Sequence, residues 1–162
     1  MDDVNRVFAR NGVAFTLRAN GTIDRLVPHV VATQLGAAEY NTGDSVLDGL
    51  LEDARSRFVD PRPRSRRDAV EKLWDAFERA KTVRGEGTKA ATADRLLDAA
   101  ASTAEFRAVL AQEARELSRL GNTFRIRHSE LAVIELDDSE FDYVFVRLYA
   151  LLWLLLRERS DD

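Results

Sequence analysis

Tyr143-Val-Phe-Val-Arg-Leu-Tyr-Ala-Leu-Leu-Trp-Leu-Leu-Leu156 is the stretch on which the fold turns. It is apolar nearly all round, and a helix of that kind cannot lie on a surface. Its 14 residues, interrupted by Arg147, fall short of the roughly 20 that cross a bilayer. It therefore reads either as the central helix of a bundle or as half of a homodimer interface. Arg147 must then find a carboxylate, a phosphate or the edge of the core, because an unpaired buried charge is prohibitive. Asp137, Asp138 and Ser139 stand ahead of it as caps.

The segments before it supply partners for such a helix. Ala69, Val70, Leu73, Trp74, Phe77 and Ala80 form one apolar stripe on a helix from about Arg66 to Val83. Val46, Leu47, Leu50, Leu51, Ala54 and Phe58 form another, capped by Asp44 or Ser45 and ended by Asp60-Pro61. Thr88 to Ala101 is an alanine-rich helix anchored by Leu96 and Leu97. Ser102 and Glu105 resemble a capping box that opens a further helix, with Phe106, Val109, Leu110, Ala114, Leu117 and Leu120 on its inner face. A helix from Pro28 to about Tyr40 precedes these, Asn41-Thr42-Gly43 breaks it, and Arg84-Gly-Glu-Gly87 is a second break.

The amino-terminal part reads differently. Val4 to Arg10 suits a short helix, after which Val13, Phe15 and Leu17 alternate with polar or small residues in strand rhythm. Asn20-Gly21 signals a hairpin. A three-residue loop with Gly21 at positive φ pairs Leu17 with Ile23 and puts two apolar residues on one face. The expected fold is a mainly α helical bundle (28–162) preceded by a short helix and β-hairpin (1–27), in a single domain of 162 residues.

Composition narrows the chemistry. There is no cysteine, and His29 and His128 lie 99 positions apart, so no disulfide, thiol nucleophile or zinc-ligand spacing arises. No metal or other cofactor is called for. The net charge of −4 argues against nucleic-acid binding by the whole surface, but not against a local basic site. The basic residues are 21 Arg against 3 Lys, a bias that a GC-rich genome produces whatever the function. The segment Pro61-Arg-Pro-Arg-Ser-Arg-Arg67 is read as a solvated loop, with a phosphate-contacting arm as the functional alternative and Ser65–Asp68 as a capping box. Met1-Asp-Asp-Val-Asn-Arg6 lacks the basic start and apolar core of a signal peptide, so a cytoplasmic bacterial protein with no membrane contact is expected.

The stretch richest in chemistry is Arg119-Leu-Gly-Asn-Thr-Phe-Arg-Ile-Arg-His-Ser129. If the helix persists through it, Leu117, Gly121, Phe124 and His128 share one side, with Arg119, Arg125 and Arg127 around it. An imidazole beside several guanidinium groups serves RNA cleavage. The same arrangement serves equally as a helix terminus meeting the negative end of the macrodipole.

Leu120-Gly-Asn-Thr-Phe-Arg-Ile-Arg-His128 resembles the motif of HEPN domains in bacterial abortive-infection proteins, a Leu-Arg-Asn-Lys-Tyr stretch followed after three residues by histidine. Asn122, Phe124 and His128 match its asparagine, aromatic and histidine. The segment Ala69 to Thr82, the opening hairpin and the helix from Asp142 are also similar to such proteins. The resemblance implies an all-α bundle that dimerises and brings two motifs together in one cleft, and the carboxy-terminal apolar helix is the expected homodimer interface. It further implies metal-independent endoribonuclease activity, with His128 and Asn122 catalytic and an arginine steadying the phosphate. Gly121 stands where the motif has its arginine, so Arg119, Arg125, Arg127 and Arg147 are the substrate-binding candidates. A catalytically silent dimerisation or partner-binding module of a defence system is the alternative.

Overall fold

The computed structural model describes residues 1–11, 14–26, 35, 40–62, 64–83, 88–124 and 136–157. Six helices and one hairpin lie among them: α1 (Asp2–Arg10), β1 (Phe15–Leu17), β2 (Ile23–Arg25), α2 (Ser45–Val59), α3 (Ser65–Val83), α4 (Lys89–Ala100), α5 (Ala104–Thr123) and α6 (Asp138–Leu156). The protein is thus mainly helical, with a small antiparallel hairpin ahead of the bundle. The expected helix from Pro28 to Tyr40, the break at 84–87 and the extended segment after His128 lie outside the described residues, except for Leu35, Tyr40 and Leu136.

Helix α6 is the centre. Asp137 caps it, accepting from the Ser139 and Glu140 amides while its own amide donates to the Glu140 carboxylate, a complete capping box. Val144, Phe145, Leu148, Tyr149, Leu151, Leu152 and Leu155 are buried against α3, α4 and α5. Phe145 also stacks on Phe58 of α2 with ring centroids 3.8 Å apart. Tyr149 meets Tyr40 hydroxyl to hydroxyl at 2.9 Å, and burial, before any other cause, pushes both phenols upward. Tyr143 and Trp153 stay exposed, at 58% and 43%. Arg147 finds a carboxylate: its Nε and Nη2 donate to the two oxygens of Glu113 on α5 at 2.9 and 2.8 Å. Among the described residues no helix is long and apolar enough to cross a membrane.

Helix α3 buries every member of its stripe, from Ala69 to Ala80. It opens one residue earlier than the capping-box reading, with Ser65 buried inside the first turn rather than standing ahead of it as the cap. Three of the four arginines of the basic segment meet carboxylates: Arg62 meets Asp60, Arg66 meets Asp138 and Asp142, and Arg67 meets Glu71, while Arg64 is exposed with no carboxylate partner among the described residues. On α2, Leu47, Leu51, Ala54 and Phe58 are buried, but Val46, 100° around the helix from Leu47, is exposed. On α5 the buried stripe begins at Leu110. Phe106 lies one turn earlier and Val109 on the flank, and both are exposed. Thr103, not Ser102, caps α5, accepting from the Phe106 amide at 3.1 Å.

The hairpin takes the expected register, Leu17 opposite Ile23, with Arg18 N donating to Thr22 O at 2.8 Å and Gly21 at φ 82°. The Asn5 side chain of α1 closes the outer edge of β1, accepting from Leu17 N at 2.7 Å and donating to its carbonyl at 3.1 Å. Arg25 joins this unit to the bundle. It is only 8% exposed, donates to Asp142 Oδ2 at 2.6 Å and the Phe58 carbonyl at 3.0 Å, and lies over the Phe58 ring. Asp142 sits between Arg25 and Arg66, whose Nε is 3.2 Å away. Replacing Asp142 with Ala leaves the Arg25 guanidinium buried with one partner fewer. The expected cost is about 2 kcal/mol, or roughly 5 °C in Tm by calorimetry, with faster hydrogen exchange in the hairpin amides.

Asp44 caps α2 and also receives the Arg79 fork at 2.8 and 2.6 Å. The Arg79 hydrogen bonds, followed by the Leu47 amide, lower the Asp44 carboxyl to about 2. Its folded pKa lies below the unfolded one, so its contribution is complete above the ordinary value of 3.8 and is lost as pH falls toward 2. Denaturant titrations across that range are expected to show a shallower acid-side loss for Asp44→Asn than for the unaltered chain.

Candidate functional site

The candidate site grows from helix α5. Thr103 starts it, and Phe124 ends it with a bond from its amide to Leu120 O at 3.0 Å, so the described helix stops before position 128. Leu117 and Gly121 face the core, as the helical spacing requires. Residues one position on face elsewhere. Arg115, Ser118, Arg119 and Asn122 recur at helical intervals and line an open groove of about 750 Å³ shared with α4 and the end of α3.

The groove has two kinds of wall. Ala90, Ala93 and Leu97 of α4 and Ala111 and Ala114 of α5 make an apolar floor of small side chains. Among the described lining residues are the cations Lys81, Arg107, Arg115 and Arg119 and the carboxylate Asp94, and Glu78, Asp98 and Glu116 also pair with cations of this set. Arg107 also fastens the two helices, because it donates to Asp94 at 2.9 Å and bonds Asp98. Those carboxylates, Asp98 before Asp94, raise the Arg107 pKa above its ordinary value. Lys81 pairs with Glu78 and lies 4.4 Å from the Phe77 ring centre.

Of the sequence candidates, the structure brings Asn122 and Arg119 together in this groove. Arg147 is elsewhere, with its guanidinium taken by Glu113 and Tyr143. The hydrogen bonds to Glu113 chiefly hold its pKa upward. His29, Arg125, Arg127 and His128 lie outside the described residues. Among the described residues no cluster of three or more acidic or histidine side chains is placed to hold a metal ion.

Gly121 has a packing reason. A Cβ built on it would overlap the six-membered ring of Trp74, which lies directly against the helix backbone. An arginine there would have to displace a core indole and then bury an unpaired guanidinium. The motif arginine is therefore excluded from this position by the same contact that joins α3 to α5. A lone glycine inside an apolar helical pattern was the legible signal for such a close approach. The groove residues Lys81, Arg107, Arg115 and Ser118 were not among the candidates, though the spacing from Arg115 to Asn122 was readable.

No family model, curated protein or solved structure matches this chain.

Gly121→Ala is expected to destabilise the protein by about 1–3 kcal/mol and to change the tryptophan emission, since Trp74 must move. Gly49, also mid-helix, has open space where its Cβ would be. Gly49→Ala should instead stabilise by about 0.5–1 kcal/mol in the same denaturant titration.

Proposed function

We propose that this chain is a HEPN-like module of a bacterial abortive-infection system that acts on RNA in the cytoplasm. The single observation that supports the reading most is the groove in which Asn122 and Arg119 meet three further cations. Residues 125–128 follow directly from the end of α5, so the remaining motif side chains belong to the same neighbourhood of the chain. In this reading His128 abstracts the proton of a ribose 2′-hydroxyl, the role for which imidazole suits neutral pH. Arginine steadies the charge developing on the phosphate. With Gly121 held under Trp74, that arginine comes from Arg119, Arg125 or Arg127. Arg147 is the weakest candidate, because Glu113 already neutralises it.

The Gly121–Trp74 contact favours a second reading, a catalytically silent module that binds RNA or a defence partner. In either case the chain homodimerises through α6, whose exposed Tyr143 and Trp153 are large apolar surfaces left in water.

One assay separates these readings. With tRNA and total bacterial RNA in EDTA, the unaltered chain is expected to cleave and His128→Ala to be inactive, with light scattering giving the mass of a dimer. Cleavage that survives His128→Ala overturns the catalytic assignment, and binding without cleavage in both proteins selects the silent module. A monomer at all concentrations removes the α6 interface.

A further inference from the structure

The four cations of the groove are not equivalent. Arg107 is committed to Asp94 and Asp98, and holds α4 against α5. Lys81 is committed to Glu78 and to the face of Phe77. Arg119 meets Glu116 at 2.9 Å, but both side chains are largely in water. An exposed pair of that kind is worth at most about 1 kcal/mol, so a phosphate displaces it readily. Arg115 is exposed and has no carboxylate partner among the described residues. No carboxylate of the described residues holds its fork, which is open to a bidentate ligand.

We infer that Arg115 is the primary phosphate contact of this groove, and that its ligand is an unpaired stretch of RNA laid along α5. The assignment rests on the reading that the chain acts on RNA. Arg115, Arg119 and Asn122 lie on one side of the helix, about 6 Å and then about 4.5 Å apart along its axis. They form a row for a sugar–phosphate backbone running parallel to α5. The apolar floor selects the strand type. The open part of that floor is Ala90, Ala93 and Ala114, since Leu97 and Ala111 are buried, and it offers small apolar contacts to base faces, which a single strand can present. A duplex keeps its base faces stacked and offers chiefly phosphates and 2′-hydroxyls.

The test is fluorescence anisotropy with a labelled oligouridylate of about ten nucleotides and its duplex with oligoadenylate. It compares the unaltered chain with Arg115→Gln, Arg115→Lys and, as a control of equal charge change, Arg10→Gln. Arg10 is exposed on α1 and does not line the groove. Loss of one phosphate contact should flatten the slope of log affinity against log salt by about 0.7, a loss of about fivefold near 0.1 M salt. Arg115→Gln is expected to show that loss with an unchanged circular-dichroism spectrum. Arg115→Lys should keep the slope, Arg10→Gln should match the unaltered chain, and the single strand should bind more tightly than the duplex. If the unaltered chain binds the single strand and Arg115→Gln binds as well with the same slope, the assignment of Arg115 is wrong while the RNA reading stands. An equal loss in Arg10→Gln, or tighter binding of the duplex, overturns it too. An unaltered chain that binds neither RNA removes the RNA reading itself.

Discussion

Helix α6 has almost no polar face to leave in water, and the bundle is the consequence. Burying seven of its side chains requires partners on several sides, which α3, α4, α5 and the Phe58 ring of α2 provide. Each fully buried Leu or Phe is worth about 1.5–3 kcal/mol, so this one helix concentrates much of the driving force. The polar groups it carries inward find partners, Tyr149 in Tyr40, Arg147 in Glu113 and Asp142 Oδ2 in Arg25, while Asp142 Oδ1 is buried without a hydrogen bond and has only the ion pair with Arg66. An unanswered one would cost as much as a buried side chain contributes.

The same requirement shapes the candidate site. Helix α5 must turn Leu117 and Gly121 toward the core, and Trp74 uses the missing side chain of Gly121 to reach the helix backbone. Side chains about 100° away then have no core to enter and sort into the groove. Packing and the candidate chemistry thus share one helix, and the core holds the position that the HEPN-type motif gives to arginine.

Arginine, so abundant here, is mostly structural in the described residues. Arg25 docks the hairpin, Arg79 secures a helix cap, Arg107 joins α4 to α5 and Arg147 joins α5 to α6. The planar fork suits these tasks because it satisfies two acceptors at a fixed angle. Against that background a guanidinium such as Arg115, with no carboxylate to hold, marks a surface rather than a joint.

Much of the fold was legible in the chain itself. The hairpin register followed from Gly21 and the alternation around it, the α3 stripe from its period, and the centrality of α6 from its unbroken hydrophobicity. These are local patterns, set by backbone geometry and by which residues water rejects. The exposure of Val46, Phe106 and Val109 was not legible, because it depends on where neighbouring helices stop covering a surface. Nor was the choice of ion partners, since Arg25 and Asp142 are 117 positions apart and any of many carboxylates had the right charge. Asn122 and Arg119 were visible as candidates, but their groove required α4 and α3 to arrive beside α5. The chain alone determined the described helices and hairpin and most of their inward faces. Only the tertiary structure decided that Gly121 belongs to Trp74 and that Arg147 belongs to Glu113, because packing and charge pairing are settled between segments distant in the chain, by shape and proximity.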